Sequence, residues 1–470
     1  MTEKRTLIKD TILYGVANLG SKLLTFLLLP LYTRYFTTEE YGLWDVVLTT
    51  TTLLAPFITF ELTAAVYRWL IVEKMEEEKV KIITTGLAVI IRNLLVFTAL
   101  TAIILIIYPI PYGWTALFLL HTMILSSFLQ QCARGLGYNK LFASMGIIQS
   151  AVTAMAIILL IFVFELRVEA FFYSAILASV VVIFVVWIAM DFHKYISFHT
   201  YSKELLGDFF IYALPIIPGA VSWWVMNLSD RYFIIAFLGI EANGLYAVAN
   251  KIPALLVMVN TIFSLAWKDH AILSYDSAEK NTYYSSVFQH FFRLMATSVV
   301  LIILLAKPLI DIFIGEAFHD AWKYTGILLI GALFSALCQF WGAGFHGAKK
   351  TKAIFLTSIA GAGVNVLINV LFIKYWGLYA VAVSTMIAFL VMWVFRVYAA
   401  KHYFNIVIRR ADFIILSFFI IGATILSFSA STLVLLISIA GGICLLFAYN
   451  YRLLHLLWRK GRRKWFDYKT

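Results

Sequence analysis

Segments of about twenty predominantly apolar residues recur along the whole chain, and nothing else in the sequence constrains the fold as strongly. Each is long enough to cross a hydrocarbon core about 30 Å thick as a helix. Composition agrees, with 62% hydrophobic and only 13% charged residues, against the roughly 25% charged usage of soluble domains. The fold class is therefore all-α, a polytopic transmembrane helical bundle.

Reading apolar runs against polar breaks gives about fourteen helices. The first six cover roughly 10–33, 43–67, 83–108, 114–135, 141–164 and 169–190 by that length criterion. A basic linker precedes six more, roughly 208–234, 243–267, 287–314, 323–346, 353–374 and 378–400, and two C-terminal helices, roughly 411–430 and 432–456, follow. The opening MTEKRTLIKD is charged like the start of a signal peptide. A full-length span without a small-residue cleavage site follows it, so it is expected to stay as the first helix.

The net charge of +12 invites a nucleic-acid reading, but Lys and Arg sit mainly in short loops and at the C-terminus. With a cytoplasmic N-terminus, the inside collects Lys74, Lys79, Lys81, Lys194, Lys203, Lys349, Lys350, Lys352 and the tail RKGRRK, whereas outside loops keep chiefly Arg34, Arg167, Lys323 and Lys374. The positive-inside rule thus places both termini in the cytoplasm, and no nucleic acid is expected as a partner. Connections of at most about twenty residues leave no room for a folded catalytic or nucleotide-binding domain. Gly342 and Gly347 have Walker-like spacing, but Ala348 stands where the phosphate-binding Lys belongs, and no strand precedes them. Cys132, Cys338 and Cys444 are isolated, and the histidines, His121 among them, form no ligand pair. No disulfide, metal, cofactor or catalytic residue is expected.

The chain repeats itself. FTTEEYGLWDVV, from Phe36, matches LGIEANGLYAVA, from Leu238, with Glu39 over Glu241, Gly42 over Gly244 and Trp44 over Tyr246. ARGLGYNK, ending at Lys140, echoes AGFHGAKK, ending at Lys350, at the corresponding place in the second half. Two six-helix lobes follow, in pseudo-two-fold repeat about an axis along the membrane normal, plus the two C-terminal helices. The boundaries fall at roughly 1–195 for helices one to six, 196–405 for seven to twelve, and 406–470 for the last two with the basic tail. Transporters of this plan bind substrate near the midplane at the repeat interface and alternate access by rocking one lobe against the other.

Within the second lobe, Tyr212–Pro253 carries Pro215, Pro218, an Asp230-Arg231 pair and Lys251 at or inside membrane depth. Lipid neither satisfies freed backbone groups nor solvates an ammonium, so this stretch is read as one wall of a transport pathway. Pro215 and Pro218 each remove a backbone donor and are hinge candidates. Asp230 and Arg231 sit near the outer end of the span, and TRYF at Arg34 echoes DRYF at Arg231, which marks Arg34, Asp230 and Arg231 as an outer gate or interfacial anchors.

The order and spacing of DRYFI, GLYAVANK, GEAFHDAWKYTGILLIG and NVLINVLFIKYWGLYAVAVST across nearly the whole chain resemble the bacterial polysaccharide repeat-unit flippases, the Wzx-like exporters. These belong with the peptidoglycan lipid flippases and the multidrug extruders in the multidrug/oligosaccharidyl-lipid/polysaccharide transporter superfamily. The resemblance implies a non-enzymatic flippase that moves polyprenyl-pyrophosphate-linked oligosaccharide across the bacterial plasma membrane. Its partners are the lipid-linked oligosaccharide, membrane lipids and a coupling ion, H+ or Na+. It is expected to act as a monomer, associated with polysaccharide assembly enzymes.

Such a substrate needs cationic groups for its pyrophosphate, because charge-assisted bonds are strong where water is scarce. Lys22 lies about 18 Å into the first span, Arg92 about 14 Å into the third and Lys251 about 12 Å into the eighth. The resemblance to the lipid flippases also implies cavity-lining basic residues in the first and eighth helices, matched here by Lys22 in GSKLL and Lys251 in YAVANKIP. The second basic residue those relatives carry in the first helix is absent, since Phe26 to Leu29 are apolar. Structural alternatives stand beside these: Lys22 pairing with Glu61, or Arg92 snorkelling. Asn18, Asn227 and Asn250 are candidate sugar contacts, and Gln149, Asn260, Gln339, Asn365 and Asn369 are further polar groups that bridge helices or face the cavity. Asp45 and Glu61, with Asp230, are candidate coupling-ion ligands. The alternatives are a cation-coupled multidrug exporter, expected to carry a carboxylate-lined lobe, and an integral-membrane polysaccharide polymerase or glycosyltransferase, expected to carry a long outer loop.

Overall fold

In the computed structural model, which describes residues 20–429 and 432–466, thirteen helices among the described residues are long and apolar enough to cross a membrane, and none of those residues forms a strand. Asn18 and the rest of the first expected span before residue 20 lie outside the described residues. The described part is helical over 20–27, turns at Leu28 and resumes as Leu29–Tyr35.

Two compact units divide the chain, Met1–Trp224 and Val225–Thr470. The division falls inside the seventh span, whose first part, Lys203–Ala213, packs with the helices Leu62–Leu70 and Glu76–Ile107 of the first unit. The two C-terminal helices pack in the second unit, on Lys280–Phe313, where Arg293 pairs with Asp412 at 2.7 Å and the Asn450 amide donates to Thr297 Oγ1 at 3.0 Å. Cross-helix polar bonds of this kind add holding energy in lipid, where apolar contact alone gives little preference for protein over acyl chains.

The first two spans of each repeat are interrupted. In the first unit, Thr38–Thr59 starts at a capping box between Thr37 and Glu40 and stops at Phe60 and Glu61, both left-handed at φ 49° and 56°, before Leu62–Leu70 resumes. Two successive non-glycine residues in that region cost about 1–2 kcal/mol each, so tertiary contacts must hold the break. In the second repeat, helix Ile217–Leu228 turns at Ser229 into Asp230–Leu238, and Ile240–Ala249 turns at Asn250 into Lys251–Leu273. Upstream, a 3-10 turn over Leu214–Ile216 containing Pro215 divides the seventh span again. Uninterrupted spans at 43–67 and 243–267 are thus corrected to broken ones. Discontinuous helices turn backbone groups and helix ends toward a polar interior, a tolerated arrangement where they line protein or a cavity.

The core of the first unit is aliphatic. Leu62, Ala65, Val66 and Leu70 form one buried stripe of the short resumed helix and pack among Ile83, Ile90, Phe128, Cys132 and Val186. The core of the second unit is aromatic, with Trp267 stacked on Phe340 at 4.4 Å and Phe288 edge-on to Trp341 at 4.9 Å.

Candidate functional site

The stripe that buries Leu62–Leu70 fixes what its other face does. Thr63, Ala64 and Tyr67 turn, with Glu61, into a cavity of about 420 Å³. Thr51, Thr52, Ala55, Pro56 and Thr59, one face of the preceding helix, and Met123, Ile124, Ser127 and Gln131 of Gly113–Gly135 complete the lining. No Lys, Arg or His is in it among the described residues. Three of the threonines use their own protons on the helix behind them: Thr51 donates to Val47 O at 2.9 Å, Thr52 to Thr49 O at 2.7 Å and Thr59 to Ala55 O at 2.8 Å. Their oxygens therefore offer lone pairs. Thr59 Oγ1 also accepts from the Glu61 main-chain N–H at 3.3 Å, and the half-buried Glu61 carboxylate has no hydrogen-bond or ion-pair partner among the described residues.

The break is held from the third span. Asn93 donates to Ile58 O at 2.8 Å, and Arg92 donates to Asn93 Oδ1 at 3.2 Å through Nη2. Arg92 is exposed and shares its helix face with Leu95, Val96, Leu100 and Ile103, all exposed and apolar. It supports Asn93 and is absent from the cavity lining. Asn93→Ala leaves a helix-end carbonyl without its donor, and the expected cost is about 1–3 kcal/mol, readable as a lowered Tm in detergent; an unchanged Tm contradicts this role for Asn93.

The second unit buries a charge. Asp230, expected at an outer gate, is 2% exposed and opens the helix Asp230–Leu238. Its Oδ1 accepts from Asn365 at 3.2 Å and Asn369 at 2.9 Å, and its Oδ2 from Thr385 at 2.7 Å and the Tyr246 hydroxyl at 3.0 Å. Ser384 Oγ donates to Asn369 Oδ1 at 3.0 Å. No cationic side chain pairs with the Asp230 carboxylate among the described residues; the adjacent Arg231, 7% exposed, donates to Asn227 O at 3.0 Å and lies over the Tyr246 ring. In the first repeat the TRYF echo puts buried Thr33 where DRYF has Asp230, so this anionic centre belongs to the second repeat alone.

A desolvated carboxylate that accepts from two side-chain amides and two hydroxyls, at the joint of a broken helix, is the kind of costly intramembrane charge that marks a functional site. No group of three or more His, Cys, Asp or Glu able to hold a metal ion occurs among the described residues.

The other expected residues are dispersed. Lys22 is exposed, no ion pair joins it to Glu61, and Lys251 is the half-buried first residue of Lys251–Leu273 in the second unit. Asp45 is half-buried in Thr38–Thr59, about 24 Å along the chain axis from Glu61 by helical rise. Asn250 donates to Tyr246 O at 2.9 Å at its own helix break, and Arg34 is exposed in the last turn of Leu29–Tyr35. Pro215 lies in the 3-10 turn, and Pro218 in the first turn of Ile217–Leu228. His121 is packed, bonded to Thr98 Oγ1 and Leu117 O at 2.7 Å each.

Tyr246, Ser384, Thr385 and Arg396 are additions that sequence reasoning missed. Arg396, 5% exposed, has no carboxylate; it donates to Cys338 O at 2.6 Å, Thr357 Oγ1 at 3.1 Å and Ser358 Oγ at 3.1 Å, stapling three helices. The one available signal was the i, i+4 spacing of Asn365 and Asn369, which places two amides on one helix face.

A bundle of spanning helices, broken at the opening of each repeat, defines a multi-pass membrane protein. Residues 7–267 match the family of polysaccharide biosynthesis proteins, more than half of the chain, and the protein belongs to that family. Its fold is similar to the lipid II flippase MurJ in an inward closed conformation, at a TM-score of 0.71 and 18% identity, over 95% of this chain and 99% of that one. It is also similar to an inward-facing multidrug resistance MATE transporter of the MOP superfamily, at a TM-score of 0.57 and 15% identity, over 85% of this chain and 95% of that one. An uncharacterised membrane protein of Methanocaldococcus jannaschii is 22% identical over 207 residues, 42% of this chain and 40% of that relative's length. The superfamily expected from motif order is the one whose fold this chain shares.

Proposed function

We propose that the protein flips polyprenyl-pyrophosphate-linked oligosaccharide from the cytoplasmic to the outer face of a bacterial plasma membrane, by alternating access, with both termini cytoplasmic. Lys22 and Lys251 bind phosphate oxygens, and an ion held at Asp230 couples the cycle to a proton or sodium gradient. The observation that carries the coupling role is the burial of Asp230 among four neutral donors with no cationic partner. Membership in the polysaccharide biosynthesis family and the flippase-like fold support the substrate class.

The test is reconstitution into vesicles with defined lipid-linked oligosaccharides, scoring how fast each becomes accessible from the far side. Acceleration that depends on an imposed ion gradient is the expected result; no acceleration for any of them removes the flippase reading. One observation favours a second reading, a cation-coupled drug exporter: the Glu61 cavity has a carboxylate and no Lys or Arg. Resistance of expressing cells to cationic dyes, with no movement of lipid-linked sugar, would establish it.

A further inference from the structure

We infer that the Glu61 cavity of the first unit is a subsite for a sugar residue that donates hydrogen bonds, in particular an amino sugar, and that it rejects the pyrophosphate. The inference rests on the flippase reading for the source of that sugar, but its chemistry comes from the lining. A phosphate oxygen only accepts hydrogen bonds at its ionised positions, and here it would meet the Glu61 carboxylate and threonine oxygens whose protons are already committed to Val47, Thr49 and Ala55, while the donors left in the lining, at Thr63, Tyr67, Ser127 and Gln131, are neutral. Among the described lining residues no cation offsets Glu61; the Arg134 guanidinium stands outside that lining, over the Tyr67 ring at 4.7 Å.

A polyol or ammonium ligand meets the opposite situation. Its O–H and N–H groups find acceptors at Thr51, Thr52 and Thr59, and Glu61, the one unpartnered carboxylate of the cavity, accepts a charge-assisted bond from an amine. Tyr67 supplies the one aromatic ring of the described lining, and the Arg134 guanidinium lies over it. At about 420 Å³ the space lies in the range of small-molecule sites, roughly 300–1,000 Å³. The lining is also poor in the aromatic surface that organic drug cations favour. The break at Phe60 and Glu61 is what makes the site: in a continuous helix Glu61 would not close one end of the threonine face.

Thiol protection in the full-length protein tests this. Ser127 lines the cavity and is exposed, Cys132 and Cys338 are buried, and Cys444 is exposed, so S127C with C444S presents a single reachable thiol among the described residues. Maleimide labelling of that thiol is expected to slow in the presence of glucosamine, to slow less with glucose, and not to respond to pyrophosphate. Adding E61Q should weaken protection by glucosamine about tenfold or more, through loss of the charge-assisted bond, and leave glucose within roughly threefold. If E61Q fails to fold, Thr52→Val serves instead and should weaken both sugars by roughly three- to tenfold. Protection by pyrophosphate, by sodium ions alone, or by tetraphenylphosphonium as strongly as by glucosamine overturns the subsite. So does an absence of glucosamine protection up to its solubility. Vesicles that flip lipid-linked oligosaccharide while sugars leave the thiol unprotected refute the subsite alone; vesicles that flip nothing refute the flippase reading whatever the thiol does.

Discussion

Alanine at both Lys22 and Lys251 will lower export of lipid-linked oligosaccharide in vesicles by roughly two to four orders of magnitude. A hydrogen bond between a charged donor and phosphate is worth about 1.5–3 kcal/mol, and every 1.4 kcal/mol is about tenfold, so each single substitution should cost roughly tenfold or more and the pair the product. The fold should survive. Lys22 is exposed, and Lys251 begins a helix whose backbone bonds do not need its side chain. Arginine at the same positions should restore most of the rate, because it keeps the charge and adds a bidentate grip on phosphate. Export that persists in the double variant, with an unchanged Tm, would end the phosphate role of both residues.

Asp230→Asn will remove the dependence on the gradient. The substitution keeps size but replaces an acceptor of four hydrogen bonds by an amide that can still accept from Asn365 and Asn369 through Oδ1 and puts an NH2 where the Thr385 and Tyr246 hydroxyls donate, so a loss of about 1–3 kcal/mol of stability accompanies it. The larger effect is on the ion. A wild-type protein holding a coupling cation at 100 times its Kd gains about 2.7 kcal/mol of apparent stability, visible as a cation- or pH-dependent rise in Tm. In the Asn variant that rise should vanish, and transport should fall to the rate seen without a gradient. A variant that keeps both the Tm rise and gradient-driven export would place the coupling ion elsewhere, with Glu61 the next carboxylate to test.

Hydropathy made the membrane architecture readable because it sums transfer free energies along a single segment, and each span crosses lipid largely as its own unit. The repeat was readable for a similar reason: GLWDVV and GLYAVA echo each other locally. Expensive intramembrane residues also announce themselves, and Asp230, Glu61, Lys22 and Lys251 all stood out by type and depth. Arg92 stood out equally and means something different. Its depth was visible, but not its bond to Asn93, nor that it stands outside the lining of the Glu61 cavity.

The interruption at Phe60 and Glu61 left no mark in the sequence. The run from 43 to 67 contains neither Gly nor Pro at the joint, and two left-handed residues there exist only because Asn93, from another span, satisfies Ile58 O. Asp230 shows the same division more sharply. Its chemical type and approximate depth were set by the sequence alone, as were the fold class and the family. Its partners Asn365, Asn369 and Thr385 lie 135, 139 and 155 residues further along the chain. Which helix faces meet is decided by packing across the whole unit, and that meeting is what buries the Asp230 carboxylate among amides and hydroxyls from distant parts of the chain.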